Sequence, residues 1–256
     1  MEPSGIIFAG LDCDADAIEA WNRWYDLEHL PPNVALEGVM LGRRYVAPPE
    51  LHAARLTGAR SAFGDGRGTF LTVYTLTGDP RAAFDDMVGL RERLVAADRM
   101  TFPDDKKAVR EGDVLALEWA VGAPELKADR ADVPFLGHTA LVVVQRQGGD
   151  AVRAWYREER AAKLVGVEGV HGVCGFSSLQ RPGLDLDLVY VEAGDLTGGG
   201  AVDPVLVADA ARRMRDAAPH HPEAEVVLDA PFLLIDPLRY PWAGPIRASG
   251  LPATVG

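Results

Sequence analysis

The sequence has only two cysteines in 256 residues, Cys13 and Cys174. Two thiols so far apart make neither a disulfide framework nor a metal-binding spacing. No apolar run approaches the roughly 18 residues that a membrane-spanning helix requires, so no membrane partner is expected. Basic residues are also scarce. Against 26 Lys and Arg stand 38 Asp and Glu, a formal charge of −12. That field repels phosphate backbones, and the densest basic patches, Arg43-Arg44 and Arg212-Arg213, are only pairs. A nucleic-acid partner is therefore set aside. His-x-His, His-x-x-x-His and HExxH are missing, and His220-His221 are adjacent, so their side chains diverge. No metal is expected. Nor does a glycine-rich phosphate loop join a strand to a helix; Gly198-Gly199-Gly200 lacks those flanks and reads as a flexible turn. The start, Met1-Glu2-Pro3-Ser4, lacks the basic stretch of a secretory signal, and a cytoplasmic location is expected.

What the sequence does have is an internal repeat. Trp24-Tyr25-Asp26-Leu27-Glu28-His29, running to Glu37-Gly38-Val39, returns as Trp155-Tyr156-Arg157-Glu158-Glu159-Arg160, running to Glu168-Gly169-Val170. The offset is a constant 131, and seven of the 22 aligned positions from Trp24 and Trp155 onward are identical. A Trp-Tyr pair and a Glu-Gly-Val triplet in one register point to duplication.

Each half then shows one succession of elements. In the first, residues 6–11 read as a strand, followed by a helix over 17–30 that Asp14 or Asp16 can cap and Pro31-Pro32 stops. Strands follow over 39–46 and 69–76, a helix over 81–97 opened by Asp79-Pro80, and a strand over 113–119. The second half repeats this with strands at 138–144, 172–177, 186–192 and 225–235, the last broken at Pro231. Its helices follow Asp150 and span roughly 204–217. The order is βαββαβ twice, an α+β plan with 1–122 as first repeat, 123–133 as linker, 134–240 as second repeat and 241–256 as a C-terminal arm. Residues 48–62 are an extra loop of the first half. Two helices on one sheet face leave the other face bare, and a second copy is its natural cover. Two such sheets close into an eight-stranded barrel with helices outside.

The stretch from Trp21 to Pro31, followed by Glu37-Gly38-Val39 and Arg43-Arg44-Tyr45, resembles the dimeric α/β-barrel superfamily of ferredoxin-like units, and within it the EthD-like members. The resemblance implies tandem ferredoxin-like repeats forming that barrel within one chain, as a monomer with a pseudo-dimeric barrel or as a homodimer. It also implies a ligand pocket in each unit and a small-molecule substrate. Many such enzymes use a histidine, tyrosine or acid without a cofactor; others bind haem through one histidine, so haem stays open. The histidine of the Tyr-Asp-x-Glu-His stretch is carried over as His29. In the second half Arg160 stands in its place, so one working site is expected.

Around His29 the spacing adds candidates. Trp21, Tyr25 and His29 share a helical stripe, and Asp26 lies at i−3, so His29 could act as general base or acid with a pKa near neutrality. The competing reading is a histidine that caps helix carbonyls. Tyr74, taken as the counterpart of Tyr190, is a candidate catalytic phenol, or packing retained from the duplication. Arg43 and Arg44 lie on opposite strand faces; one can hold an enolate or carboxylate, or both serve salt bridges. His171 is expected to point into the barrel near His138, and Trp24 is an aromatic wall or core. The function expected is a cofactor-independent lyase, isomerase or cyclase acting on a small aromatic or polyketide-like carbonyl compound. The alternatives are a haem- or oxygen-dependent oxidoreductase and a non-catalytic ligand-binding protein.

Overall fold

The computed structural model describes residues 2–194 and 201–251. The expected turn at Gly198-Gly199-Gly200 lies outside them, as do residues 252–256 of the arm. The first half runs β1 (Pro3–Cys13), α1 (Ile18–Trp24), α2 (Leu30–Val34), β2 (Val39–Val46), α3 (Pro49–Ala53), β3 (Leu56–Thr57), β4 (Phe70–Thr77), α4 (Pro80–Ala96) and β5 (Lys107–Gly122). After the linker come β6 (Ala140–Gln147), α5 (Asp150–Trp155), α6 (Ala161–Leu164), β7 (Val170–Ser178), β8 (Leu184–Val191), α7 (Pro204–Ala217), β9 (Glu225–Leu234) and α8 (Ala243–Ser249).

Strand order reports the duplication directly. The first half is ordered β2-β4-β1-β5 and the second β7-β8-β6-β9. In each, the second long strand lies at one edge and the fourth at the other. The seams pair fourth strand with second strand both times, β5 with β7 and β9 with β2. Every one of these pairings is antiparallel, so the eight long strands close on themselves. Closure removes the free edges that either sheet alone would expose. The extra loop supplies α3 and the short β3, which pairs with β9 at Leu56↔Asp229.

Alternation along the strands sorts core from site. Ile7, Tyr74, Leu76 and Val114 face outward, packed with Leu30, Val34 and Phe84 of the helices. Their neighbours Ile6, Phe8, Val73 and Leu115 point inward and join Leu141, Leu188 and Phe232 in the main core. Phe63 plugs this interior. A Cβ at Gly10 or Gly68 would lie 2.4 or 2.2 Å from its ring, so only glycine admits it. The lumen is therefore packed, and polar chemistry falls to the helix-facing side and the barrel ends.

Four expectations need correction. The first helix does not stop at Pro31-Pro32, because a π-helical turn over Tyr25–His29 resets the ladder and both prolines open α2, where no donor is missed. Asp14 and Asp16 do not cap α1; Ala17 stands at its N-cap, and both carboxylates pair with Lys106. Pro231 does not break β9, since it pairs with Val142 and its other side faces the gap between the β3 and β2 contacts. Tyr74 and Tyr190 are not counterparts. Tyr74 lies opposite Gly42 and Ile7, whereas Tyr190 lies opposite Gly172 and Leu141, one register step away. That single step sends Tyr190 inward and Tyr74 toward the helices.

Candidate active site

The π turn is the local feature both halves share. Leu30 N–H bonds back to the Tyr25 carbonyl, five residues away, and Ala161 N–H does the same to Tyr156. Such a turn widens the helix and re-aims the side chains that follow it, and π-bulges recur at functional sites. In the first half it aims Tyr25 and His29 at the outer sheet face. Their ring centroids lie 4.3 Å apart, and Trp24 covers the imidazole from 5.0 Å.

Beneath the turn the polar groups converge. Thr72 Oγ1 on β4 donates to the Tyr25 hydroxyl at 3.0 Å. The Tyr74 hydroxyl lies within loose hydrogen-bonding reach of Tyr25 and Asn33, yet neither closes a bond of full geometry on it, and His29 Nδ1 and Asn33 Oδ1 are likewise left without one. Buried polar atoms are almost always satisfied, so three orphans in one place point to a missing partner such as a ligand or water. Burial raises both phenols above their ordinary range, and both stay protonated at neutral pH. His29 is lowered to about 3, chiefly by burial and then by the positive charge of Arg44, Lys107 and Arg91. The imidazole is neutral, and the expected poise near neutrality does not occur.

Asp26 does not offset this, because it points elsewhere. Its Oδ1 takes the Arg44 guanidinium at 2.5 Å, and its Oδ2 accepts from Tyr240 Oη at 2.6 Å and Leu238 N at 2.9 Å. Asp26 thus latches the C-terminal arm instead of tuning His29. Arg44, 4% exposed, also holds Asn22 and lies 4.1 Å above the Tyr25 ring, a fixed cation over the site. Arg43 takes the opposite face, as expected, but its donors clasp the linker carbonyls of Pro134, Phe135 and Leu136 at 3.3–3.4 Å. Trp24 packs on Phe102 at 5.3 Å and is mostly core. His171 stands at the bulge of β7, tied to Gly137 O at 2.6 Å and Glu192 at 3.0 Å; it is held at the rim rather than aimed into the barrel.

No family model matches the chain, and no curated protein matches it. Among solved structures it is similar to a haem-binding protein of Thermus thermophilus, 11% identical over 97% of this chain and 95% of that one, with a TM-score of 0.47. A candidate monooxygenase of Fusobacterium nucleatum is 9% identical over 92% and 93%, with a TM-score of 0.46. An anthrone oxidase-like protein is 10% identical over 91% and 92%, at 0.43. The fold is a dimeric-type α/β barrel.

The larger cavity of this α/β barrel, about 750 Å³, is not at His29. It lies between the end of β9, α3 and the arm, with Trp242, Ile235, Arg239 and His138 in its wall. His138 donates Nδ1–H to Leu136 O at 2.8 Å, which leaves Nε2 to accept from Tyr45 Oη at 2.9 Å. A groove of about 540 Å³ runs along the outer side of the first π turn, between Glu28, Pro31 and Arg99. Sequence reading missed Tyr45 as a partner of His138 and Asn33 as a neighbour of Tyr74. Asn33 follows Pro31-Pro32, and only a helix that survives those prolines brings it to the site. Among the described residues no helix is long and apolar enough to cross a membrane, and no group of three or more acidic, histidine or cysteine side chains could hold a metal ion.

Proposed function

We propose that the chain is an enzyme that removes a proton from a small phenolic or enolisable carbonyl compound, bound beneath the first π turn. The observation that carries this reading is the trio of unpartnered buried atoms, His29 Nδ1, Tyr74 Oη and Asn33 Oδ1. A substrate carbonyl can take the Tyr74 O–H, a substrate hydroxyl can donate to Asn33, and the neutral His29 can accept the proton. Arg44, held 4.1 Å over Tyr25, supplies the positive field under which an enolate or phenolate forms. The same field keeps His29 unprotonated until a negative charge arrives beside it, so base and oxyanion are coupled by one cation. The EthD-like look of the Tyr25–His29 stretch agrees with such chemistry.

Haem fits these residues poorly. His29 is wedged between two aromatic rings, and His138, the histidine in the larger cavity wall, has both ring nitrogens engaged. We therefore read the site as working with its own side chains. Isomerisation, ring closure or attack on dioxygen can follow proton loss, and the substrate decides among them.

The test is solvent deuterium exchange. Anthrone, 1,3-diketones and hydroxynaphthalenes are incubated in D₂O with the protein, label uptake is followed by mass spectrometry, and an oxygen electrode reads any oxidation. Catalysed exchange should fall about 100-fold or more in His29→Ala and about tenfold in Tyr74→Phe. Equal exchange in wild type and His29→Ala, or none with any compound, would remove the proposal.

A further inference from the structure

The second half sets a different group of side chains around its own tyrosine. Tyr156, the counterpart of Tyr25, is fully buried under the second π turn. Two guanidinium groups bear on its ring, Arg146 of β6 at 3.8 Å and Arg160 at 5.2 Å. Each is 2% exposed. Arg160 stands where His29 stands in the first half, so the base has been replaced there by a cation. The carboxylate in direct contact with this pair is Asp187, itself buried, whose Oδ2 lies 2.7 Å from Arg146, while Asp229 bears on Arg160 and Asp185 on Arg146 from farther off. Other acids nearby are already taken. Asp185 pairs with Arg153 at 2.9 Å, and Asp229 pairs with Arg215 and His220.

The two buried cations thus share one direct ion pair, and Arg160 has no carboxylate in contact among the described residues. Hydrogen bonding is incomplete in the same place, because Arg146 Nε, Arg160 Nη1 and Asp187 Oδ1 have no partners. Two orphan donors on a positive surface suit a carboxylate, and an orphan acceptor beside them suits a hydroxyl. Burial holds the Arg160 guanidinium below its ordinary range although Asp187 and Asp229 oppose the shift.

The tyrosine is also wired outward. Asp229 accepts Nε2–H of His220 at 2.9 Å. Burial alone would raise the Asp229 carboxyl, but the His220 and Arg215 hydrogen bonds outweigh it and keep the group ionised. His220 therefore offers its Nδ1 lone pair to the Tyr156 hydroxyl at 2.8 Å. Its side chain is 16% exposed, so the relay ends at the surface.

We propose that this cluster is a second site, distinct from the first, for a small hydroxy-carboxylate, with Arg146 and Arg160 on the carboxylate and Tyr156 on the hydroxyl. Tyr156 can pass its proton to His220 Nδ1 while taking the proton of the ligand hydroxyl: one O–H bond breaks on the ligand, one re-forms on the tyrosine, and an N–H forms on the imidazole. Nothing in this inference rests on the first-half reading, and either can fail alone.

Glycolate is the probe, titrated calorimetrically and followed by the ¹⁵N shifts of the His220 ring, with glycolamide and propionate as controls lacking the charge or the hydroxyl. Glycolate should bind and shift His220. Both controls, and Arg160→Gln, should bind about tenfold or more weakly, while His29→Ala leaves the affinity unchanged. If Arg160→Gln does not fold, Tyr156→Phe decides, with the same loss of affinity and no His220 shift. The proposal is overturned if glycolate does not bind at millimolar concentration, if the controls bind as well, if Tyr156→Phe binds like wild type, or if binding disappears in His29→Ala.

Discussion

The two halves keep the same turn and put opposite chemistry on it. Beneath the first, a neutral imidazole, two phenols and an amide lie against Arg44, which Asp26 neutralises and Asn22 holds, with Lys107 and Arg91 adding positive charge at the imidazole. Beneath the second, two cations face one phenol and one carboxylate. The Trp-Tyr pair and the π turn are common because they shape the helix against the sheet in both copies. The halves differ four residues on, at His29 and Arg160, where the turn aims a side chain at the outer sheet face, and again on the strands beneath, where Arg44 and Thr72 of the first half give way to Arg146 and Asp187 in the second. The duplicated frame fixes the place of a polar cluster, and these few positions together set its charge.

The largest effects should come from removing the acid in each cluster. Asp187→Ala would leave Arg146 and Arg160 with no carboxylate in direct contact, at a cost of about 5 kcal/mol by urea denaturation. Asp26→Ala should cost less, about 3 kcal/mol, because Asn22 still holds Arg44. It should also loosen the arm that Tyr240 and Leu238 fasten to Asp26, visible as faster amide exchange at Leu238. Equal costs would mean that the second cluster is no more charged than the first.

The comparison can be sharpened with pH. His29 lies at about 3 in the folded chain, against an ordinary value near 6.5, and His52 and His138 are lowered to about 3 and 4, in each case mainly by burial. The unfolded chain therefore binds protons between about pH 6.5 and 4 that the folded chain refuses. Stability from these groups is complete above pH 6.5 and is lost as the pH falls below it, at roughly 1.4 kcal/mol per unit for each histidine. His29→Gln should flatten that fall by one histidine's share. A wild-type stability flat from pH 7 to 5 would contradict the burial of all three.

How much of this was legible beforehand follows from the range of each interaction. The repeat, the strand order and the closed barrel could be read because they rest on period-two alternation and on an offset that survives in the chain. The face of Tyr190 could not, because the constant offset ends with the second strand: both halves carry the same bulge there, and Tyr190 faces Gly172 as Thr75 faces Leu41, an alignment that the unequal loops conceal. The helix through Pro31-Pro32 was hidden for another reason: the rule that proline ends a helix presumes an unbroken i−4 ladder, and the π turn breaks it one residue earlier. His29 stands out through its motif. Its charge state does not, because burial and the nearby cations set it, and Asp26, which would oppose them, is held by Tyr240, 214 residues distant in sequence. In the sequence His220 stands out only beside His221, as a pair unsuited to a metal, and Asp229 carries no signal at all; only the docking of α7 brings them to Tyr156.

The smallest effects come from deleting a single oxygen, and here the halves should differ in sign. Tyr156→Phe removes a hydroxyl that bonds His220 Nδ1, leaving a half-buried acceptor unpaired, and should cost about 1 kcal/mol. Tyr74→Phe removes a buried hydroxyl that Tyr25 and Asn33 approach without a bond of full geometry, so the folded state sheds a desolvation penalty and gains about 1 kcal/mol. Stabilisation on loss of a polar atom marks a group kept for binding or chemistry rather than for the fold. Paired urea denaturation of the two variants reads both signs in one experiment. If Tyr74→Phe is destabilised as much as Tyr156→Phe, the Tyr74 hydroxyl is already satisfied within the chain, and the first cluster is not waiting for a ligand.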